Sequence, residues 1–347
     1  MKIAIFCVLE ENRSIDRYAD ELAAAFPAGL EARKVWFPSR GGLWGKIFDR
    51  HLHYLWKARA RQGDVSIVAS ETYAFLLLAL DPRRTVVVCH DLHPLMAPPG
   101  HDKIYRLRFR LNLRLLRRAR AVITVSDATR SDLLAHCSFL KPETVITVHS
   151  GLGTQWQPSS DAAQRSATRE RYGFSAEDKI VLHVANANWY KNFSVVAEAF
   201  SLLKEPRARL LKVGSLSHRD QQLICDLRIE KRVTHVNQAD DQELLRLYHI
   251  ADVMAFPSLH EGFGWPPLEA MACGCPVVAS DRPAIPEICG EACLYADPLD
   301  ARGIAGAIER VLREPTLRFQ LTAAGLAQAR KYSWKQAAAR IAEIAQS

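Results

Sequence analysis

The strongest constraint on this chain is a rhythm that runs twice. Six short apolar runs, Ile3 to Leu9, Glu31 to Phe37, Val65 to Ala69, Thr85 to Cys89, Ala121 to Val125 and Val145 to Val148, read as buried strands. Helical spacing fills the gaps at Ile15 to Phe26, Leu43 to Arg61, Tyr73 to Leu80, Lys103 to Arg118 and Asp127 to His136. A Gly-, Ser-, Thr- and Gln-rich break from Ser150 to Arg171 follows. Six more runs then begin: Ile180 to Val184, Leu210 to Val213, Val233 to Val236, Val253 to Phe256, Pro276 to Ala279 and Cys293 to Tyr295. Strands alternating with helices predict parallel sheets covered on both faces.

The length of 347 residues exceeds one ordinary hydrophobic core, and 48% apolar residues are enough to fill two. The fold class predicted is therefore α/β, with two Rossmann-like parallel-sheet domains facing across a cleft and a ligand between the carboxyl ends of their strands. The domains are set at 1–165 and 166–332, with the Ala-rich terminal helix, 333–347, packed back on the first.

The formal charge of +8 is unevenly placed: residues 1–150 hold 23 Lys/Arg against 15 Asp/Glu, and the remainder holds 23 of each. From Asp102 to Arg120, eight basic residues stand against one acidic one, interleaved with Ile104, Leu107, Phe109, Leu111, Leu113, Leu115 and Leu116. Such a basic amphipathic helix can rest on an anionic bilayer or approach an anionic substrate. The plainer reading is a solvated outer helix.

Eight scattered cysteines, mostly inside apolar runs, read as reduced packed thiols, and Cys273 and Cys275 lack the further partners of a zinc site. No apolar run reaches the ~20 residues of a membrane span. The N-terminus turns acidic at Glu10 and Glu11, where a secretory signal would stay apolar. A cytoplasmic protein, with peripheral contact to an anionic membrane on the cytoplasmic face, is expected.

The densest chemistry lies in HEGFGWPPLE, His260 to Glu269. A strand, Asp252 to Phe256, precedes it, and Pro266 and Pro267 suit the first positions of a helix that stops at Gly274. Gly262 and Gly264 bare the backbone in the loop between, so amide donors and a helix N-terminus meet at one spot suited to an anion. Glu261 on the loop can face a ligand's reacting end, and Glu269, placed in the helix's first turn, can accept from sugar hydroxyls. On spacing alone, Glu269 complementing the helix dipole and Glu261 as an exposed loop residue are equally good readings.

The segment Asp252 to Pro298 resembles the donor-site signature of family 4 glycosyltransferases, retaining enzymes of GT-B architecture, with Glu261 and Glu269 ending their Glu-x7-Glu motif. The resemblance implies that Glu269 holds the nucleotide ribose, that Glu261 lies at the donor sugar, and that the Gly262, Phe263 and Gly264 backbone contacts sugar and phosphates. HVANANWYKNF, His183 to Phe193, is similar to the strand-end motif whose lysine, here Lys191, neutralises the donor diphosphate. Where many relatives place an arginine this chain has Ala185, Asn186 and Asn188, so Asn186 and backbone amides join Lys191 as donor-binding candidates. VVVCHDLHPL, Val86 to Leu95, resembles the strand and His-Asp pair of bacterial mannosyltransferases, which puts His90 near the donor sugar and Asp91 beside it. VITVSDATRSDL, from Val122, resembles the next strand and helix start, with Ser126 as N-cap. The resemblance spans roughly residues 85 to 345. The Gly-rich loop of many members is replaced by Leu9, Glu10, Glu11, Asn12, Arg13 and Ser14, so acceptor contacts do not carry over.

The resemblance implies transfer of a hexose with retention, Glu261, His90 and Lys191 being the catalytic candidates. No metal and no cofactor are expected beyond the nucleotide diphosphate sugar as co-substrate, since there is no Asp-x-Asp cluster. GDP-mannose is the favoured donor, UDP-glucose and UDP-N-acetylglucosamine staying open, and a glycan or polyprenyl diphosphate-linked glycan of surface polysaccharide such as O-antigen is the acceptor. The rivals are a nucleotide-sugar epimerase of similar fold and a silent binding subunit. A dinucleotide oxidoreductase is disfavoured because no GxGxxG follows the first strand, and no nucleic-acid partner is expected.

Overall fold

The computed structural model describes residues 1–9, 13–38, 53–98 and 103–346. The chain divides into two compact units, Met1–Gly153 with Tyr332–Ser347, and Thr154–Lys331. Each holds one six-stranded sheet whose paired strands run parallel.

The first sheet contains β1 (Lys2–Leu9), β2 (Glu31–Pro38), β3 (Val65–Val68), β4 (Thr85–Cys89), β5 (Ala121–Thr124) and β6 (Val145–Thr147), in the order β2-β1-β3-β4-β5-β6. Every residue of β3, β4 and β5 is buried, as the continuous apolar runs require of strands covered on both faces. The second sheet contains β7 (Lys179–Val184), β8 (Ala208–Val213), β9 (Val233–Val236), β10 (Val253–Phe256), β11 (Val277–Ser280) and β12 (Leu294–Ala296), in the order β12-β11-β10-β7-β8-β9. The chain therefore builds outward from β7 to β9 on one side, then returns to β7's other edge with β10.

Two helical expectations change. The predicted Tyr73 to Leu80 helix is a 3₁₀ segment, Glu71–Leu78, with Tyr73, Ala74, Phe75, Leu76 and Leu77 all buried. A segment enclosed on nearly every side has no polar stripe to orient an α-helix, and Ser70 starts it by accepting from the Thr72 amide. The basic helix spans Lys103–Leu115 and closes with a 3₁₀ turn, Leu116–Arg118. Of the predicted Leu43 to Arg61 helix, Tyr54–Ala60 is present; positions 43 to 52, and the Glu10 to Asn12 stretch standing where relatives have a glycine loop, lie outside the described residues.

The terminal helix, Trp334–Gln346, packs on the Arg13–Ala25 helix of the first unit, where the Tyr18 and Trp334 rings meet edge-on at 5.1 Å. Gly151 makes this seat possible: a Cβ there would fall 2.2 Å from the Trp334 nitrogen. Residues 154 to 165, read from sequence with the first domain, pack instead with the second unit. Trp156 is buried against Tyr248, and His249 Nε2 donates to the Gln157 carbonyl at 2.8 Å. All eight cysteines are free thiols, seven of them buried.

Candidate active site

In the second sheet β7 and β10 lie side by side, Val253 opposite Val181 and Met254 opposite Leu182. They are the strands at which the direction of winding reverses, the switch point beside which open α/β sheets characteristically bind their ligands. Both sequence motifs of this unit emerge there.

After β7 a 3₁₀ turn, Trp189–Lys191, ends at Asn192, whose φ of 57° lies in the left-handed region that asparagine tolerates better than most residues. Its buried side chain donates to the carbonyls of Pro257 at 3.1 Å and Pro298 at 2.7 Å, and the Leu259 amide donates to Tyr190 O at 2.7 Å. The two strand-end loops are thereby stitched together, and Lys191 is aimed at the loop after β10. Its ammonium bonds both oxygens of Glu261, at 2.7 and 2.9 Å. Glu261 is buried rather than the exposed loop residue that spacing alone allowed. The aromatic faces of Tyr190 and Phe256 lie 5.2 and 5.3 Å from the same ammonium, within cation–π range. In a pair this sheltered each charge depends on the other.

The helix that follows is Trp265–Ala272, with Pro266 and Pro267 in its first turn and Gly264 as its N-cap. Gly264 has φ 104°, a conformation that demands glycine, and a Cβ there would also come within 2.9 Å of the Ile285 side-chain tip, Cδ1, which would have to shift. Phe263 is buried. Glu269 is the fifth helical residue, not a first-turn one, which removes the dipole reading. Its buried carboxylate accepts from the Tyr248 hydroxyl at 2.9 Å. Exposed Asn186 accepts the Ser215 amide at 3.4 Å, and Ala187 N–H donates to Ser215 Oγ at 3.0 Å, tying the β7 loop to the β8 loop.

Beneath these loops lies a residue that sequence reading missed. Lys212 of β8 is fully buried, and its ammonium donates to Ala185 O at 2.5 Å, Val213 O at 2.8 Å and Gly214 O at 3.3 Å. Burial pushes its pKa down to about 8, with the Asp220 charge opposing. Its register partner, His183, donates from Nδ1 to Ala255 O at 2.9 Å, and burial followed by the Lys212 charge lowers it to about 3. The signal available was one lysine inside the apolar run Leu210 to Val213. Tyr248, on the Asp241–Ile250 helix, carried no sequence signal.

His90 and Asp91 belong to the first unit, just after β4. The His90 amide donates to Glu71 Oε2 at 2.9 Å, and its Nε2 lies 2.8 Å from the Ala69 carbonyl. A carbonyl only accepts, so Nε2 carries the proton and Nδ1 keeps a lone pair. Burial lowers the His90 pKa, which favours this neutral tautomer. Asp91 Oδ1 accepts from the His93 amide at 3.1 Å and meets His93 Nδ1 at 3.0 Å. Glu71, also missed from sequence, is buried; desolvation first, then the Asp91 charge, raises its pKa to about 8. Ser126 caps the Asp127–His136 helix by accepting from the Thr129 amide at 3.0 Å.

The structure thus brings Lys191 and Glu261 together, places Gly262, Phe263, Gly264, Glu269 and Asn186 on the segments that follow β10 and β7 in the second unit, and holds His90 and Asp91 in the first. Among the described residues no group of three or more His, Cys, Asp or Glu side chains is arranged to hold a metal ion.

Known proteins resemble this chain in sequence and in fold. Residues 164–328 match glycosyl transferases group 1, and residues 14–156 match glycosyltransferase family 4. The chain is 31% identical over 260 residues to O-antigen chain mannosyltransferase B of Escherichia coli, covering 73% of this chain and 67% of that one. It is 30% identical over 268 residues to the serotype-specific mannosyltransferase WbdA of Escherichia coli, where the match covers 74% of this chain but only 32% of the longer relative. In fold it is similar to HepE of Anabaena, solved in complex with UDP and glucose, with a TM-score of 0.83 at 19% identity over 99% of this chain and 98% of that one.

Proposed function

The chain belongs to the glycosyltransferases of GT-B architecture, and from that premise we propose that it transfers mannose from GDP-mannose, with retention at the anomeric carbon, to a glycan or lipid-linked glycan acceptor in polysaccharide synthesis. The observation that carries the donor side of the reading is the pairing of Lys191 with Glu261 at the β7–β10 reversal. The preference for mannose rests on similarity to the two mannosyltransferases.

In this reading the donor diphosphate enters beside the Trp265–Ala272 helix N-terminus and draws on the Lys191 ammonium, so Glu261 exchanges its partner as donor binds. Neutralising the leaving diphosphate is the main electrostatic task, and a preorganised ammonium with backbone amides can perform it. Glu269, steadied by Tyr248, holds the ribose hydroxyls. The bond from the anomeric carbon to the diphosphate oxygen breaks, the acceptor oxygen bonds to the same face, and the acceptor proton passes to the departing phosphate. Within the first unit, His90 presents Nδ1 as a hydrogen-bond acceptor next to Asp91. The reaction as proposed uses no metal.

The test is a product assay with GDP-, UDP- and dTDP-sugars on wild type, Glu261→Ala and Glu269→Ala. Mannosyl transfer from GDP-mannose, abolished in Glu261→Ala with nucleotide binding spared, and a weakened nucleotide in Glu269→Ala, is the expected result. Full activity in both variants would overturn the site, and transfer from a UDP-sugar alone would overturn the donor. Conversion of the nucleotide sugar without any acceptor would identify an epimerase instead.

A further inference from the structure

Lys212 is buried in β8 and takes no carboxylate: the oxygens that its ammonium reaches are the three carbonyls of Ala185, Val213 and Gly214. Its register partners are both histidines, His183 on β7 and His235 on β9, and His235 Nε2 shares the Gly214 carbonyl at 2.9 Å. The acid whose charge reaches it is Asp220, on the His218–Asp226 helix. That carboxylate is already committed to its own helix start, accepting from the Ser217 amide at 2.9 Å and hydroxyl at 2.7 Å. On the other side, the His183 ring feels both the Lys212 and the Lys191 charge, and the Phe193 ring lies 5.6 Å from the Lys212 ammonium. A cation sheltered in this way without an anion costs folding free energy, and a methionine of similar length would fill the space without that cost. Packing alone therefore does not account for a lysine here.

The carbonyls show what the lysine does. A trans peptide sets its N–H opposite its C=O, and the described residues contain no cis peptide bond. With the Ala185 carbonyl drawn onto the ammonium, the Asn186 amide points the other way, and it has no hydrogen-bond partner among the described residues. The Gly214 carbonyl does the same for the Ser215 amide, which meets Asn186 Oδ1 only at 3.4 Å. Gly214 lets the two loops come this close: its φ is 94°, and a Cβ would fall 2.2 Å from the Ala185 oxygen. Amides of the β7 and β8 loops are thus turned away from a fixed positive charge beneath them, an arrangement suited to phosphate oxygens. We infer that Lys212 is a positioning residue for the donor diphosphate, holding the Asn186 and Ser215 amides toward it through the carbonyl bonds and adding its charge from below. The inference rests on the proposed donor site, in which Lys191 is the contacting cation. Lys212 acts through the backbone and touches no substrate.

The test is calorimetric titration of guanosine and GDP, and of uridine and UDP, into wild type and Lys212→Met, with a thermal melt of each protein. The variant should bind the diphosphate about tenfold to a hundredfold more weakly, with nucleoside affinity changed less than about twofold and the melt at neutral pH not lowered. A second readout is the proton. Burial holds the Lys212 pKa near 8 and a bound anion raises it, so wild type should take up protons on binding diphosphate at about pH 8, and the variant fewer. The uptake is read as a binding heat that changes with the ionisation enthalpy of the buffer, and it decides on wild type alone if the variant melts early: no uptake overturns the inference. Equal diphosphate affinity in the two proteins overturns it as well. Equal weakening of nucleoside and diphosphate overturns it in favour of general damage to the loops. A wild type that binds neither diphosphate overturns the donor-site reading and this inference with it, whereas normal wild-type binding with an unaffected variant overturns this inference alone.

Discussion

Both units are six-stranded parallel sheets, yet their strand ends carry opposite electrostatic solutions. In the second unit two sheltered cations have been given oxygen: Lys191 takes both oxygens of Glu261, and buried Lys212 takes three carbonyls. In the first unit two carboxylates, Glu71 and Asp91, share the ends of β3 and β4, and the partners that the structure gives them are the His90 amide and His93. Burial first, and then the neighbouring Asp91 charge, keeps the proton on Glu71 to about pH 8, and Lys212 accommodates burial by releasing its own near the same pH. The basic excess lies wholly within residues 1–150, and the remainder holds as many acidic as basic residues.

The comparison breaks most visibly at the ion pair. Lys191→Ala leaves Glu261 buried without its cation and should lower unfolding free energy by about 3–5 kcal/mol in urea, with Glu261→Gln in the same background restoring much of it. An unchanged urea midpoint would mean the pair is not sheltered. Gly264→Ala forces a side chain into a left-handed backbone against Ile285 and should cost about 1–3 kcal/mol while raising the donor KM.

The pH dependence of stability sharpens the contrast, because the two buried groups act in opposite directions. Glu71 is protonated to a higher pH folded than unfolded, so its contribution is full below its ordinary value of 4.5 and is lost as pH rises to about 8. Lys212 is deprotonated earlier folded than unfolded, so it costs stability below about pH 8 and the cost is relieved between 8 and 10.5. Glu71→Gln should flatten the first slope and Lys212→Met the second, each at most about 1.4 kcal/mol per pH unit, read from melts across pH. The smallest effect is Ser126→Ala, which removes the N-cap of a first-unit helix and should cost about 1 kcal/mol with donor affinity unchanged.

The repeated strand rhythm was legible because a parallel strand buried on both faces needs an unbroken apolar run, and β3, β4, β5, β10 and β11 are buried at every position. The Glu71–Leu78 segment was misread because near-complete enclosure erases helical periodicity. Glu261 and Lys191 were named from motifs, but their bond joins residues 70 positions apart and depends on β7 lying beside β10, which no local spacing encodes. Lys212 and Glu71 were missed for a related reason. A charged side chain at a strand end looks solvent-facing until the chain's own carbonyls and amides are seen to surround it. The Lys103–Leu115 helix was present in sequence as alternation of leucine and arginine, and only burial of Phe109 and Leu113 separated the face used by the fold from the face left outside.

The central claim is that the second unit's strand reversal binds a nucleotide through Glu269. Isothermal titration of GDP into wild type and Glu269→Ala tests it directly, with a thermal melt of each as control. Loss of two charge-assisted hydrogen bonds to ribose predicts affinity weaker by about a hundredfold in the variant with folding retained. Equal affinity in the two proteins would contradict the account.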